Sequence, residues 1–208
     1  MTHIVWDWNG TLLDDTQAAL DTLNDMLSRR GGRQIAMDFY RDNFSFPVKP
    51  FYESIGVRLG DEDWDALAQE YHDVYAEQPK RLNAEAIAAL KYAKERGCRQ
   101  SIVSALRQDL LDAITEELGV AEYMDFVYGV DNLDGRSKTD RARELLAAIG
   151  ADPASVVMIG DALHDKEVAD ALGVRCVLCA QGSHAEWRLA AVAPTGATLM
   201  DVVRLAIG

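Results

Sequence analysis

The chain has 208 residues, 49% of them hydrophobic, with 21 Lys and Arg against 34 Asp and Glu for a formal net charge of −13. That length supports one good core, or a core domain carrying a smaller insertion, and an acidic charge spread along the chain repels a nucleic-acid backbone. No window reaches the ~18 apolar residues of a membrane span, and no basic leader with a cleavage site precedes the first apolar run. A cytoplasmic protein is expected, monomeric or a small homo-oligomer, with neither nucleic acid nor membrane as partner.

The first β-type run is 3–6, His-Ile-Val-Trp. From about 14 to 82 the pattern turns helical and aromatic, with helices expected over 16–30, 38–44, 51–55 and 61–77 and no strand among them. Strand-like runs then return at 101–104, 126–130, 156–160 and 174–178. They are separated by amphipathic stretches at 84–96, 108–118, 138–149 and 165–172, which stop at Gly97, Gly119, Gly150 and Gly173. Such alternation predicts an α/β fold, a Rossmann-like parallel sheet covered by helices on both faces. The helical stretch 14–82 is expected to be an inserted all-helical cap domain on a core of 1–13 and 83–208. Cys176 and Cys179 have zinc or redox spacing, but they lie in an apolar strand with no second pair nearby, so they are read as core.

Four polar sites follow apolar runs or open helices: Asp7-x-Asn9-Gly10-Thr11, Ser104, Lys138, and Gly160-Asp161-x-x-x-Asp165. In parallel α/β sheets ligands gather beyond the carboxyl ends of the strands, so the topology brings these sites to one place. Their order resembles the haloacid dehalogenase superfamily, most of whose members are phosphatases, over essentially the whole chain. The helical insertion after the first motif is similar to the cap of one large branch. Within it, the segment 44–52, Phe-Ser-Phe-Pro-Val-Lys-Pro-Phe-Tyr, resembles phosphoglycolate phosphatase and its relatives.

The resemblance implies a Mg²⁺-dependent hydrolase of a small phosphorylated metabolite, phosphoglycolate-like, working through an aspartyl-phosphate. Asp7 is the expected nucleophile, and hard oxygen ligands for Mg²⁺ are expected from Asp7, the Asn9 carbonyl, Asp161 and Asp165. Lys138 and Ser104 would hold phosphoryl oxygens, and the backbone at Gly10 and Thr11 would approach them. Lys49 in the cap and Arg107 after Ser104 are candidates to bind the rest of the substrate, as are Arg41 and Tyr52. His164 and His184 are left outside the metal set, because oxygen-rich surroundings favour magnesium over zinc.

One position departs from the family pattern. Family phosphatases carry aspartate two residues after the nucleophile, where it protonates the leaving alkoxide and then activates water; here that residue is Asn9. A carboxamide cannot exchange that proton, and such help is worth ~10²–10⁴ in rate. Alternatives to a slowed phosphatase are a non-catalytic protein that binds phosphate and Mg²⁺, and carbon–phosphorus cleavage like that of phosphonoacetaldehyde hydrolases, with Lys49 as the cap amine.

Overall fold

The run Ile4-Val5-Trp6 is buried throughout, as a central parallel strand must be when helices cover both its faces. The computed structural model describes residues 1–57, 63–130 and 138–208. Within it, β1 (His3–Trp6), β2 (Arg99–Arg107), β3 (Phe126–Val130), β4 (Val156–Gly160), β5 (Arg175–Cys179) and β6 (Thr195–Gly196) form one all-parallel sheet in the order β3-β2-β1-β4-β5-β6. The strand order reverses beside β1, between β2 and β4, so a crevice opens beyond their carboxyl ends.

Successive residues of each strand point to opposite faces, and the core divides accordingly. Ile4 and Trp6 join Ile102, Val157 and Ile159 under α5 (Ala86–Glu95) and α10 (Leu199–Ile207). Val5 joins Val103 and Met158 under α7 (Lys138–Ile149) and α8 (Leu163–Leu172). The helices α6 (Gln108–Glu117) and α9 (Glu186–Ala190) also flank the sheet.

Between β1 and α5 the elements among the described residues are all helices: α1 (Thr16–Arg29), α2 (Met37–Asn43), α3 (Val48–Ser54) and α4 (Trp64–Ala76). They bury a third cluster of their own, built on Leu20, Leu23, Leu27, Tyr40, Phe51, Tyr52 and Leu67. The chain leaves the sheet beside the point where it returns. Asp14 N–H donates to the Arg81 carbonyl at 2.9 Å, and Leu13 bridges Leu82.

Two differences from the sequence pattern have physical causes. The strand expected at 101–104 runs from Arg99 to Arg107, and polar Gln100 can lie buried at its start because both ends of its amide find partners. Its Oε1 accepts from Trp6 Nε1 at 3.0 Å and its Nε2 donates to the Leu90 carbonyl at 3.0 Å. The elements β6, α9 and α10 lie beyond the last expected strand. The first two are only two and five residues long, too short for periodicity to register. Cys176 and Cys179 are buried and free, and burial pushes both thiols up to about 12, as core cysteines require.

His3 is buried at the start of β1 with Nε2 2.8 Å from Ser101 Oγ. Burial, reinforced by Arg99 and opposed by Asp125, lowers its pKa from 6.5 to about 4. The unfolded chain therefore binds a proton here that the native state refuses, so His3 subtracts stability as pH falls from about 6.5 towards 4. Urea unfolding of His3→Gln across that range should show a shallower loss of stability than the parent chain; parallel curves would refute this assignment.

Candidate active site

Asp7 follows β1, Ser104 lies in β2, Lys138 opens α7, and Asp161 and Asp165 flank the step from β4 into α8. The sheet thus delivers all of them to one cleft, where Asp7, Ser104, Lys138, Asp161 and Asp165 are each buried. Lys138 Nζ donates to Asp7 Oδ1 at 2.5 Å and to Asp165 Oδ1 at 2.7 Å, with its side chain only 6% exposed. Asp165 Oδ2 accepts the backbone N–H groups of Asp161 at 3.1 Å and Ala162 at 3.0 Å, which fixes it at the first turn of α8. Asp161 is gripped from both sides. Its Oδ1 accepts from Thr11 Oγ at 2.9 Å, and its Oδ2 accepts from Ser183 N–H and Oγ, each at 2.6 Å.

This crowding explains the glycine at position 10. Gly10 has φ +77°, and a Cβ there would stand 2.5 Å from Asp161 Oδ2. Only glycine accepts that backbone and that approach together.

The electrostatics are those of a site short of positive charge. Three buried carboxylates surround one ammonium, and a carboxylate oxygen from each of Asp7, Asp161 and Asp165 lies within 4.8 Å of the others. Burial, then the negative charge of Asp165, pushes the Asp7 pKa well above its ordinary value despite Lys138. Burial and Asp165 likewise raise Asp161 to about 6. Burial works against ionised Asp165 too, but Lys138 outweighs it and holds that carboxyl below the usual range. Burial by itself would lower the Lys138 pKa, but Asp165 and Asp7 outweigh it and raise it instead.

Asn9 carries a network that the sequence did not announce. Its Nδ2 donates to Asp15 Oδ2 at 2.8 Å and to the Tyr75 hydroxyl at 3.1 Å. Tyr75 donates in turn to Asp15 Oδ2, and Gly10 N–H donates to Asp15 Oδ1 at 2.6 Å. Asp15 precedes α1, where its spacing reads as an ordinary helix start, and Tyr75 sits sixty residues away in sequence on α4. Asn9 Oδ1 faces Ser104 Oγ at 3.4 Å.

Other expected residues fall elsewhere. Lys49 is exposed, with Nζ 6.0 Å from the Trp64 ring centroid, and Arg107 pairs with Asp109 at 2.6 Å with its side chain 46% exposed; neither lines the cleft. Gly10 and Thr11 are at the site, but the Gly10 N–H is taken by Asp15 and the Thr11 hydroxyl by Asp161. Arg41 donates to the carbonyls of Gly182 and Gln181 at 3.0 and 2.9 Å, tying α2 to the loop after β5. Tyr52 does line the cleft. Ser183 has no signal in a single sequence beyond a short polar loop after β5.

The model of the haloacid dehalogenase-like hydrolase family matches residues 4–179. The chain belongs to that family. Among relatives of this hydrolase, a phosphoglycolate phosphatase of Caulobacter vibrioides is 26% identical over 188 residues, covering 86% of this chain and 79% of the relative. An N-acetylmuramic acid 6-phosphate phosphatase of Pseudomonas aeruginosa is 26% identical over 219 residues, covering 98% and 95%. The fold matches a haloacid dehalogenase-like family hydrolase from Streptococcus pneumoniae with TM-score 0.73 at 17% identity, covering 99% and 98% of the two chains.

Removing Lys138 from this hydrolase leaves two buried carboxylates face to face. Lys138→Met should destabilise the metal-free protein by about 3–5 kcal/mol in urea unfolding at neutral pH. Lys166→Ala, which breaks an exposed pair with Asp170, should change stability by no more than about 1 kcal/mol. Equal effects of the two substitutions would contradict the assigned geometry.

Proposed function

We propose that the chain is a Mg²⁺-dependent hydrolase of small phosphate monoesters that works through an aspartyl-phosphate on Asp7. The observation that carries this reading is the Asp7 carboxylate itself. Lys138 engages its Oδ1, while among the described residues Oδ2 has only a 3.4 Å contact from Thr11 Oγ. One oxygen is anchored and the other is left to attack. The phosphatase relatives support the same chemistry.

The donor set fits a divalent metal. Three buried carboxylates against one lysine leave a surplus of negative charge that nothing else among the described site residues neutralises, and all the donors are hard oxygens. Asp7, Asp161 and the main-chain carbonyl of Asn9 would hold Mg²⁺, with Asp165 as a further ligand or as the anchor of Lys138. When bound, the metal supplies the positive charge that lets an anionic carboxylate approach an anionic phosphate.

The residues then divide the work. Lys138 orients Asp7 and offers an ammonium proton to a phosphoryl oxygen, and Ser104 Oγ offers a second donor. The segment 14–82 acts as a cap domain whose helices α1–α4 roof the cleft and keep bulk water out during attack. Asn9 holds the roof through Tyr75 but transfers no proton. The hydrolysis of the acyl-phosphate therefore proceeds without the carboxylate base that the family pattern places there.

Three measurements test the reading. With p-nitrophenyl phosphate and Mg²⁺, Asp7→Asn should lower turnover at least about a thousandfold, and excess chelator should abolish turnover reversibly. Because the second displacement lacks its base, rapid mixing should show a burst approaching one nitrophenol per chain before the slower steady state. Asp7→Asn with unchanged turnover would remove the proposed nucleophile.

A further inference from the structure

The cleft continues away from Asp7 into a cavity of about 230 Å³, a small volume beside the roughly 300–1,000 Å³ of typical ligand pockets. Its floor is the polar cluster already described. Its roof is aromatic: Tyr40, Phe44, Phe46, Tyr52, Trp64 and Tyr71 all line it. These rings brace one another, with Tyr40 stacked on Phe44 at 4.7 Å between centroids, and Tyr52 packed 6.2 Å from Trp64 and 6.3 Å from Tyr71. A roof of this kind receives a flat apolar group at little cost in side-chain ordering.

Lysine and arginine are represented among the described lining residues by Lys138 alone, and it is committed to Asp7 and Asp165. The two histidines that line the cavity are engaged as well, His164 with Glu167 at 3.2 Å and His72 edge-on to the Tyr71 ring at 5.8 Å between centroids, so a carboxylate beside the phosphate would find no uncommitted lysine or arginine among the described lining residues. The second observation is independent of the first. Residue 9 offers no transferable proton, and the neighbouring carboxylate of Asp15 has both oxygens occupied as acceptors, from Gly10 N–H, Asn9 Nδ2 and the Tyr75 hydroxyl. With no acid at either residue 9 or Asp15, the site favours a leaving group that departs as an anion, which a phenolate does readily and an aliphatic alkoxide does not.

Resting on the hydrolase reading above, we propose that the substrate is the phosphate ester of a small, uncharged phenol, with its ring held under the roof of Tyr52, Trp64 and Tyr71. An Asp7 carboxylate oxygen forms a bond to phosphorus as the bond from phosphorus to the phenolic oxygen breaks, and the electron pair leaves on that oxygen. The phenolate takes its proton from solvent. Water then adds to phosphorus and the bond to Asp7 breaks, returning the carboxylate and releasing inorganic phosphate, with the water's protons passing to phosphate and solvent.

The test compares kcat/KM for 1-naphthyl phosphate, 2-phosphoglycolate and acetyl phosphate with Mg²⁺ present. Naphthyl phosphate should exceed phosphoglycolate by at least about a hundredfold. Acetyl phosphate needs neither a proton donor nor the aromatic roof, so it reports the nucleophile and the fold. Trp64→Ala should lower the naphthyl-to-acetyl ratio about threefold to tenfold, mainly through KM. Ala68→Trp, which fills the cavity from α4, should lower it at least tenfold. Phosphoglycolate turned over as well as naphthyl phosphate, or a ratio unmoved by both substitutions while acetyl phosphate is still hydrolysed, would overturn the substrate class and leave the hydrolase reading standing. Failure to hydrolyse any of the three would overturn both.

Discussion

The ammonium of Lys138 wedged between the carboxylates of Asp7 and Asp165 is the contact on which the site depends. Burying one such charge costs several kcal/mol unless it is paired and hydrogen-bonded. The fold meets that condition by bringing the end of β1, the start of α7 and the first turn of α8 to a single point. The remaining parts follow from it. Backbone N–H groups at 161 and 162 hold Asp165, while Thr11 and Ser183 hold Asp161. Gly10 supplies the room for those carboxylates to stand so close.

Much of this was readable from the chain. The strand-helix alternation placed Asp7, Ser104 and Asp161 at strand ends, and burial of both sheet faces made each strand a short apolar run that stands out from its neighbours. The unread parts share a different character. Asp15 and Tyr75 meet only because α4 folds back over the first loop, and a contact between residues sixty positions apart leaves no periodic trace. Ser183 lies in a loop whose role depends on where β5 ends. Lys49 and Arg107 were singled out by charge type, yet charge type does not tell whether a side chain turns inward. The first lies out near a tryptophan ring and the second closes on its own neighbour Asp109. The aromatic residues of α2 to α4 were visible as aromatic, but a hydrophobic stripe on a helix looks the same whether it packs a core or roofs a cavity.

Residue 9 joins the chemistry to the architecture. An amide donates two protons, and both are used, one to the Asp15 carboxylate and one to the Tyr75 hydroxyl. A carboxylate at the same place would set two negative oxygens against each other in a buried setting. The asparagine is thus matched to its neighbours as a structural donor, and the site gives up proton transfer at this position in exchange for a fixed link between the first loop and α4. On the mechanism proposed above, an enzyme so built is suited to leaving groups that are stable as anions.

The other link across the cleft has a different physical nature. Arg41 reaches backbone carbonyls at 181 and 182, and Arg188 returns the gesture to the carbonyls of Arg41 and Phe44 at 2.8 and 2.9 Å. Both guanidinium groups thus grip peptide dipoles rather than opposing carboxylates. On a molecule with thirteen surplus negative charges, a contact held by ion pairs, such as the exposed Arg81–Asp14 pair at 2.9 Å, loosens as dissolved salt accumulates. One closed by dipoles keeps its grip as ionic strength changes. The lines of chain that are gripped are also free to change side chains without releasing it.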